Sequence, residues 1–510
     1  MTSAPSVPAE LGSGASARVR KRDKGPVAIL DIGSNSVRLV VYESQSRTPA
    51  TVHNEKAICS IGRDMVTTGR LHAEGMKMAL ETLARFKILA DGLHVTIRDA
   101  AATAAARDAE NGQEFIRKAE AAWGAPIRIL SGEEEARLAA EGVLAGIPDA
   151  DGLAADLGGG SLDMVSVKNG RMSEAYTLPF GPLRLMDLAK GNANKARDIV
   201  DRGLEAIPSL RALEKRSLYA VGGIWRSVAR VDMEVCEYPL HVLQHYEIPR
   251  ARALRLCDVL SVQSRKSLDM MKSVSKRRAE LLPFGAIVLE RLLLASKVER
   301  IVVSAYGLRE GLLHAQLGPD ERDKDPLIEF AASANERMGR SPAHAQEMIQ
   351  WMAPLFADEN AELRRIRQAV CLFSDIGWRL HPDDRAIGAY NQVLHAPFAG
   401  VDHRARGLIA TAVFHRYSGD EEVPRELRVD DLLDKADEAL ALRIGLAARL
   451  AFALTASAVG ELGQARLRLT PSKLLLDVPR RREMLAGEPV LKRLGALAAC
   501  LDRKGEILIG

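Results

Sequence analysis

The sequence predicts an α/β protein with two related lobes, followed by a mainly α-helical region. Three observations support this prediction. A short pattern of Asp, Gly and Ser occurs twice, each time directly after an apolar run. Strand-like and helical segments alternate over positions 27–317, and residues of high helix propensity dominate at helical spacing from Leu327 to Val459.

The repeated pattern reads DIGSNS at positions 31–36 and DLGGGS at positions 156–161. Each copy lies between two apolar stretches, which predicts a strand, a turn and a second strand. A turn rich in Gly and Ser exposes backbone N–H groups that bind phosphate oxygens, so two facing turns would hold a phosphorylated ligand from both sides. The candidate phosphate-binding residues in these turns are Gly33, Ser34, Asn35, Ser36, Gly158, Gly159, Gly160 and Ser161.

Other glycine-rich motifs fit these residues less well. A Walker loop requires Gly-Lys-Ser or Gly-Lys-Thr leading into a helix, and a dinucleotide-binding fold requires Gly-x-Gly-x-x-Gly there. Neither pattern is present at the repeat, and the residues after Ser36 are strand-like. A single Asp-x-Gly is most often an ordinary hairpin turn, but two copies with the same flanks favour a shared binding role.

Composition sets further limits on function. The net charge is +4, from 71 basic and 67 acidic residues, which gives no argument for a nucleic-acid partner. Five scattered cysteines without a Cys-x-x-Cys pair predict neither a disulfide framework nor a zinc site, and indicate thiols in a reducing cytoplasm. Because no apolar run is long enough to span a bilayer, we expect a cytoplasmic protein that does not bind a membrane.

The chain divides into four predicted segments. Residues 1–25 are rich in Ser, Ala, Gly and Pro and predict a disordered tail. The two lobes are predicted at 26–149 and 150–318, and the charged stretch 319–326 is typical of a linker. The helical region follows at 327–510, and near its end Ala465–Thr470 and Lys473–Val478 are predicted to pair as a β-hairpin.

Three carboxylates follow one another at Glu133, Glu134 and Glu135, where a helix is predicted to begin. Ser131 and Glu134 have the spacing of a capping box, and Glu133 suits the first helical turn. Glu135 has no such local explanation. A carboxylate beside two phosphate-binding turns is the group that orients and deprotonates a water attacking phosphorus, so Glu135 is the candidate catalytic base.

Candidate metal and phosphate ligands lie close to the same motifs. Asp31 and Asp156 end the strands that precede the turns, and Asp163 lies two residues after the second turn. Such carboxylates bind Mg²⁺ or another divalent cation, although Asp163 alone is equally well explained as a solvated strand residue. Arg63 and Arg107 are candidates for phosphate oxygens, because a guanidinium binds them in a bidentate manner; most arginines, however, form surface salt bridges.

Five segments resemble, in order and spacing, the exopolyphosphatase and guanosine pentaphosphate phosphatase (Ppx/GppA) family of the actin-like ATPase superfamily. They are Val27–Glu43, Ala102–Asn111, Ile129–Gly142, Ala155–Asp163 and Ser304–Leu313. The resemblance implies two ribonuclease-H-like lobes around a cleft, and a cation-dependent hydrolase that removes terminal phosphate from inorganic polyphosphate. It also implies that some relatives convert guanosine pentaphosphate (pppGpp) to the tetraphosphate, and it suggests a homodimer.

The resemblance assigns roles residue by residue. The catalytic glutamate of the family corresponds to Glu135, a phosphate-binding arginine to Arg107, and the aspartate of the second turn to Asp156. Two positions depart from the family pattern. Asp163 replaces a usual Glu, which shortens the reach towards a metal, and Ile224 replaces a usual Thr after Gly222-Gly223, which removes a hydroxyl.

The helical region resembles the C-terminal part of longer members, which is similar to a metal phosphohydrolase domain of the His-Asp type. Here the dipeptide is Ser374-Asp375, so a metal-binding His is missing and we expect no second active site. The nearby histidines are typical of structural or surface residues: His381, His395, His403 and His415. Arginines cluster at 364–365 and 480–482, where we expect either a grip for long polyanions or, equally, solvated helix faces.

The sequence thus predicts an exopolyphosphatase in which Glu135 activates water and Mg²⁺ assists. A phosphatase acting on pppGpp with the same chemistry is the closest alternative; a non-catalytic nucleotide sensor and an ATP-dependent kinase come from other classes. The intact Glu135 argues against the sensor. The bulk of Ile224-Trp225-Arg226, at the turn that sits near the nucleotide in related kinases, argues against the kinase.

Overall fold

The computed structural model describes residues 25–427 and 429–510, so all but the last residue of the predicted tail lies outside the described residues. The strands of the first lobe are β1 (Val27–Ile32), β2 (Ser36–Tyr42), β3 (Thr51–Ile58), β4 (Ile97–Ala102) and β5 (Arg128–Ile129). They form a sheet in the order β3-β2-β1-β4-β5. Its helices are α1 (Met65–Thr68), α2 (Ala73–Gly92), α3 (Ala104–Asp108), α4 (Gly112–Trp123) and α5 (Gly132–Gly146).

The second lobe repeats this arrangement. Its strands are β6 (Gly152–Leu157), β7 (Leu162–Lys168), β8 (Arg171–Leu178), β9 (Ser217–Val221), β10 (Tyr246–Pro249) and β11 (Arg300–Val303). The sheet order is β10-β11-β9-β6-β7-β8. Its helices are α6 (Pro182–Ala189), α7 (Ala193–Glu205), α8 (Gly223–Val235), α9 (Arg250–Ser261), α10 (Arg265–Asp269), α11 (Leu282–Ser296) and α12 (Leu308–Ala315).

In both lobes an antiparallel meander is followed by a parallel strand. The first strand, β1 or β6, pairs antiparallel with the strand that follows its turn and parallel with the crossover strand, β4 or β9. Because β1 and β6 are central and covered on both faces, they are nearly continuous apolar runs. The predicted α/β class with two related lobes is therefore confirmed.

Helices α5 and α12 each cover the sheet of the other lobe. Helix α5 packs on the second sheet through Ala136 and Val143, and α12 packs on the first sheet through Leu308. The two helices cross closely, since a Cβ on Gly311 would lie 1.8 Å from the carbonyl oxygen of Leu138. This crossing fixes the N-terminal turn of α5, which carries Glu135, between the lobes.

The C-terminal region has its own hydrophobic core. Its helices are α13 (Pro319–Arg322), α14 (Pro326–Met338), α15 (Pro342–Trp351), α16 (Ala361–Phe373), α17 (Arg385–Leu394), α18 (His403–Ser418), α19 (Lys435–Thr455) and α20 (Glu488–Cys500). Its strands are β12 (Arg466–Leu469), β13 (Lys473–Val478) and β14 (Lys504–Ile509). Helix α13 lies inside the stretch expected as a linker, and β14 adds a parallel strand, absent from the prediction, to the hairpin of β12 and β13.

The remaining helical segments are 3-10 turns at Pro208–Leu213, Ala353–Phe356, Pro382–Asp384, Arg425–Leu427, Asp430–Leu432, Leu462–Gln464 and Arg480–Leu485. In the described part of the chain, no helix has the length and apolarity that crossing a membrane requires. All five cysteines are free thiols, and Cys59, Cys257 and Cys371 are buried.

Candidate active site

The repeated motifs form two turns of the same geometry, one from each lobe. In the first, the backbone N–H of Gly33 donates to the carbonyl of Ser36 at 3.0 Å. In the second, the N–H of Gly158 donates to the carbonyl of Ser161, also at 3.0 Å. The sequence repeat is therefore a structural repeat, with each turn joining the first two strands of its lobe.

The two turns lie against each other. A Cβ placed on Gly160 would be 3.1 Å from the Oγ of Ser34, and one on Gly159 would be 3.5 Å from the Cβ of Ser34. Behind the second turn, a Cβ on Gly181 would lie 2.3 Å from the backbone nitrogen of Gly160. The two turns are thus within van der Waals contact, and Gly181 is the position where a side chain would clash with the backbone of the second turn.

The first turn is also held from its outer side. The N–H of Gly62 donates to the carbonyl of Ser34 at 2.8 Å, and the hydroxyl of Ser60 donates to the Oδ1 of Asn35 at 3.1 Å. Arg63, which follows directly, has an exposed side chain. Arg63 is thus adjacent in sequence to Gly62, the residue that binds the first turn.

The three carboxylates at the start of α5 have three different surroundings. Glu134 and Ser131 form the predicted capping box, and Glu133 pairs with Arg137 on the exposed face at 3.0 Å. Glu135 is buried, with 8% of its surface exposed. Its Oε2 accepts a hydrogen bond from the Nη1 of Arg107 at 3.1 Å. The predicted candidates Glu135 and Arg107 are therefore in direct contact.

Arg107 is positioned by three acceptors. Its Nη1 also donates to the carbonyl of Leu130 at 3.0 Å, and its Nε donates to Asp108 at 3.2 Å. Burial, together with the nearby charge of Asp163, raises the pKa of Glu135 well above its ordinary value, and the Arg107 guanidinium opposes this rise. Glu135 is thus a stronger base than a solvated carboxylate.

Asp156 and Asp163 face each other across the second hairpin as directly paired residues of β6 and β7. The hydroxyl of Ser161 donates to the Oδ2 of Asp163 at 2.7 Å. The Oδ1 of Asp163 is buried and has no hydrogen-bond partner among the described residues. Burial raises the pKa of Asp156 to about 6 and that of Asp163 to about 7, and the proximity of Asp156 adds to the rise at Asp163.

Asp31 has different surroundings, although it occupies the same place in the first hairpin. Its Oδ2 accepts a hydrogen bond from the Nη1 of Arg309 at 2.9 Å. Its cross-strand partner is Arg38, where the second hairpin has Asp163. Asp31 is therefore balanced by two arginines, whereas Asp156 and Asp163 repel each other. The sequence predicted Asp31, Asp156 and Asp163 alike as metal ligands, and it did not predict the contact of Asp31 with Arg309.

The carboxylates could supply part of the ligand shell of a hard divalent cation. In the described ranges, no three His, Cys, Asp or Glu side chains converge closely enough to form a complete metal site. Mg²⁺ is commonly held by one or two carboxylates, with water and substrate phosphates completing its shell. The unpartnered Oδ1 of Asp163 and the raised pKa values of Asp156 and Asp163 suit such a shared site.

A group of basic side chains continues from the hairpins and draws on both lobes. In the first lobe, Arg38 and Lys56 are cross-strand partners on β2 and β3. Partial burial, with Arg278 and Arg38 nearby, lowers the pKa of Lys56 to about 8. In the second lobe, burial and the proximity of Arg309 lower the pKa of Arg226 to about 10. Sequence reasoning did not find this basic group, because its members are far apart in the chain.

Family models account for most of the chain. The model described as the Ppx/GppA phosphatase family matches residues 40–319, and a model described as the C-terminal part of exopolyphosphatase matches residues 329–508. The chain belongs to the Ppx/GppA phosphatase family. The resemblance found in the sequence motifs is therefore confirmed.

Individual relatives agree with this assignment. Exopolyphosphatase 1 of Mycobacterium tuberculosis is 29% identical over 336 residues, which cover 62% of this chain and 96% of that protein. Retrograde regulation protein 2 of Saccharomyces cerevisiae is 26% identical over 478 residues, covering 82% of this chain and 77% of that protein. A crystal structure of an exopolyphosphatase from Cytophaga hutchinsonii has the same fold, with a TM-score of 0.52, 23% identity, and coverage of 57% of this chain and 97% of that one.

In this Ppx/GppA chain, Ile224 and Trp225 do not fill the cleft, contrary to the expectation of bulk at the Gly222-Gly223 turn. Both are buried in the core of the second lobe, where the indole of Trp225 donates to the carbonyl of Gly285 at 3.0 Å. The amphipathic helix α8 turns these two residues inward. Arg226 remains beside the turn, and its Nε donates to the carbonyl of Gly222 at 3.1 Å.

Asp375, from the Ser374-Asp375 dipeptide that was compared with a His-Asp motif, is bound by another side chain. Asp375 accepts a bidentate interaction from Arg340, with Nη2 to Oδ1 at 2.8 Å and Nε to Oδ2 at 3.0 Å. His403 joins the region to the second lobe, because its two ring nitrogens contact the hydroxyl of Tyr238 at 2.9 Å and the carbonyl of Gln244 at 3.0 Å. These residues thus serve packing and domain contact.

Four of the five arginines expected to grip polymer have acidic or amide partners. Arg364 lies 3.3 Å from Glu359, and Arg365 pairs with Asp325. Arg482 pairs with Glu461 at 2.8 Å, and Arg481 donates to Gln464. This pairing reduces the charge available to a polyanion at both clusters and favours the alternative of ordinary helix-face contacts.

Proposed function

We propose that this chain is an exopolyphosphatase that hydrolyses the terminal phosphate of inorganic polyphosphate. The observation that carries the proposal is the buried contact between Glu135 and Arg107, beside two phosphate-binding turns and the Asp156–Asp163 pair. Transfer of a phosphoryl group to water needs a general base, a cationic side chain that binds phosphate, and backbone N–H donors. Family membership and the relatives named exopolyphosphatase agree with this proposal.

Glu135 acts as the general base. Its Oε1 or Oε2 accepts a proton from a water molecule whose oxygen forms the new bond to the terminal phosphorus. The phosphoanhydride bond then breaks, and its electron pair stays on the bridging oxygen of the shortened chain. The products are orthophosphate and a polyphosphate that is one unit shorter.

The turns and Arg107 hold the terminal phosphate during this step. Backbone N–H groups around Ser34 and Gly159 would donate to its oxygens, and Arg107 would contact the phosphate while keeping the Glu135 carboxylate oriented. Asp156 and Asp163 would hold Mg²⁺. When bound, Mg²⁺ supplies charge neutralisation at the phosphate oxygens. Arg63 would contact a phosphate from the loop beside the first turn.

The basic group supports a polymeric anion, rather than a small ester, as the substrate. Burial lowers the pKa of Arg38, Lys56, Arg226 and Arg278, and a neighbouring cation lowers the pKa of each of them further. A bound polyanion relieves this repulsion. We therefore propose that the phosphates behind the terminal unit lie along these four side chains.

The test is orthophosphate release by the full chain from long-chain polyphosphate, tripolyphosphate and pppGpp, with and without Mg²⁺. We expect Mg²⁺-dependent release, fastest per enzyme on long-chain polyphosphate. Faster release from pppGpp would favour the guanosine pentaphosphate phosphatase, and binding without release from any substrate would favour a sensor. The homodimer implied by the family resemblance stays a prediction, checked by light scattering of the purified chain.

A further inference from the structure

A second concentration of positive charge lies in the C-terminal region, in a cavity of about 680 Å³ between α17, α18, α19 and α20. Five arginines line it: Arg340, Arg385, Arg416, Arg449 and Arg493. The acidic residues of the lining are Asp383 and Glu421. Asp375, outside the lining, forms ion pairs with Arg340 and Arg416. Positive charge therefore exceeds negative charge by two.

Arg416 is the buried centre of this arginine pocket. Only 8% of its surface is exposed, and its Nε has no hydrogen-bond partner among the described residues. Its guanidinium stacks on the ring of Phe452 at 3.7 Å and lies 3.8 Å from the nearest oxygen of Asp375. A buried guanidinium with a free donor is costly unless a ligand supplies an acceptor.

The more exposed arginines also keep their charge available. Arg385 and Arg493 donate to the backbone carbonyls of Leu380 and Pro489, contacts that do not neutralise a charge. Burial and the nearby Arg493 lower the pKa of Arg449. Like charges held together in this way are typical of a site for a multiply charged anion.

We propose that this arginine pocket binds an oligophosphate, either a short inorganic chain or the phosphate tail of a nucleotide, at a site separate from the cleft. Every residue of the lining lies between 340 and 493, so it shares none with the hairpins, Glu135 or the basic group of the lobes. The aromatic rings of Trp378 and Phe452 already stack on arginines, which favours recognition of phosphate over recognition of a base.

Tryptophan fluorescence gives a direct test in the full chain. Of the four tryptophans, Trp123, Trp225 and Trp351 are buried, whereas Trp378 is partly exposed at the arginine pocket. We expect tripolyphosphate to change the emission saturably, and Trp378→Phe to remove the change. Emission that still responds in Trp378→Phe, or that never saturates up to millimolar ligand, would overturn the proposal.

Isothermal titration calorimetry of charge variants provides the second measurement. Replacing Arg385 and Arg493 together by Gln should weaken tripolyphosphate binding at the arginine pocket about 10-fold or more. The exposed Arg466 on β12 gives the matched control, and Arg466→Gln should leave binding unchanged. An equal loss in both variants would show non-specific attraction and contradict the proposal.

Guanosine triphosphate and guanosine distinguish the source of the ligand. Tighter binding of the triphosphate than of tripolyphosphate identifies a nucleotide site, and equal or weaker binding identifies an inorganic one; both support an oligophosphate site. Guanosine binding as tightly as its triphosphate would contradict it. Because these readouts record binding alone, they stand even if the proposed hydrolysis fails.

Discussion

Asp156 and Asp163 are direct cross-strand partners in the second hairpin, whereas the equivalent partners in the first are Asp31 and Arg38. The repeat thus places an acidic pair on one side of the cleft and a neutralised pair on the other. Like charges directly opposite each other destabilise a sheet. The second hairpin keeps this unfavourable arrangement, which is typical of a functional site.

The acidic pair should lower stability at alkaline pH. The folded-state pKa of Asp163 is raised from the ordinary 3.8 to about 7, so the folded chain binds this proton more tightly than the unfolded chain does. The resulting stability is present below pH 3.8 and is lost as the pH rises through about 7. At pH 8, Asp163→Asn should therefore raise the free energy of unfolding by roughly 1–3 kcal/mol.

Thermal unfolding measures this effect, with Asp198→Asn on the exposed face of α7 as control. Added Mg²⁺ should raise the Tm of the wild-type chain more at pH 8 than at pH 5, because the carboxylates are ionised at the higher pH. The same addition should have little effect on Asp163→Asn. A variant that is less stable than wild type at pH 8 would show that Asp163 is structural.

Metal and phosphate ligands should respond differently to mutation. Asp156→Asn should raise the Mg²⁺ concentration needed for half-maximal rate, since a neutral amide oxygen is a poorer ligand for a hard cation. Arg107→Ala should lower kcat/KM at saturating Mg²⁺ by about 10²-fold, because it removes the cation that would contact the terminal phosphate and that orients Glu135. If added Mg²⁺ rescues both variants to the same extent, the division of roles is wrong.

The basic group of the lobes should contribute most to long substrates. Lys56→Gln and Arg226→Gln should each raise KM for long-chain polyphosphate about 3- to 10-fold and leave KM for tripolyphosphate less affected. The slope of log KM against log salt should also become shallower, because fewer counterions are released. The exposed Lys168 at the end of β7 provides the control variant Lys168→Gln. Equal effects on short and long chains would contradict this role.

The local parts of the site could be predicted from sequence. Short-range patterns of neighbouring residues predict the two turns and the capping box at Ser131. They also show that Glu135 has no capping role. The predicted hairpin of Ala465–Thr470 and Lys473–Val478 is likewise present as β12 and β13. Such features are set within one turn or one hairpin, so that no knowledge of the tertiary structure is needed.

The features of the site that the sequence did not predict depend on contacts between residues far apart in the chain. Arg309 meets Asp31 across 278 positions of sequence, and Arg226 meets Arg38 across the lobes. Ile224 was expected to crowd the cleft, but tertiary packing of α8 decides which face it takes. For Arg309, one signal was available: it lies in the Ser304–Leu313 segment that carried the family resemblance.

Glu135 is the proposed base that activates water. The most direct test compares orthophosphate release from long-chain polyphosphate by Glu135→Gln and by Glu133→Gln, whose parent side chain is on the exposed face of the same helical turn. We expect kcat to fall about 10²-fold or more in Glu135→Gln with polyphosphate binding retained, and to stay within about 2-fold of wild type in Glu133→Gln. Near-normal turnover by Glu135→Gln would contradict the account.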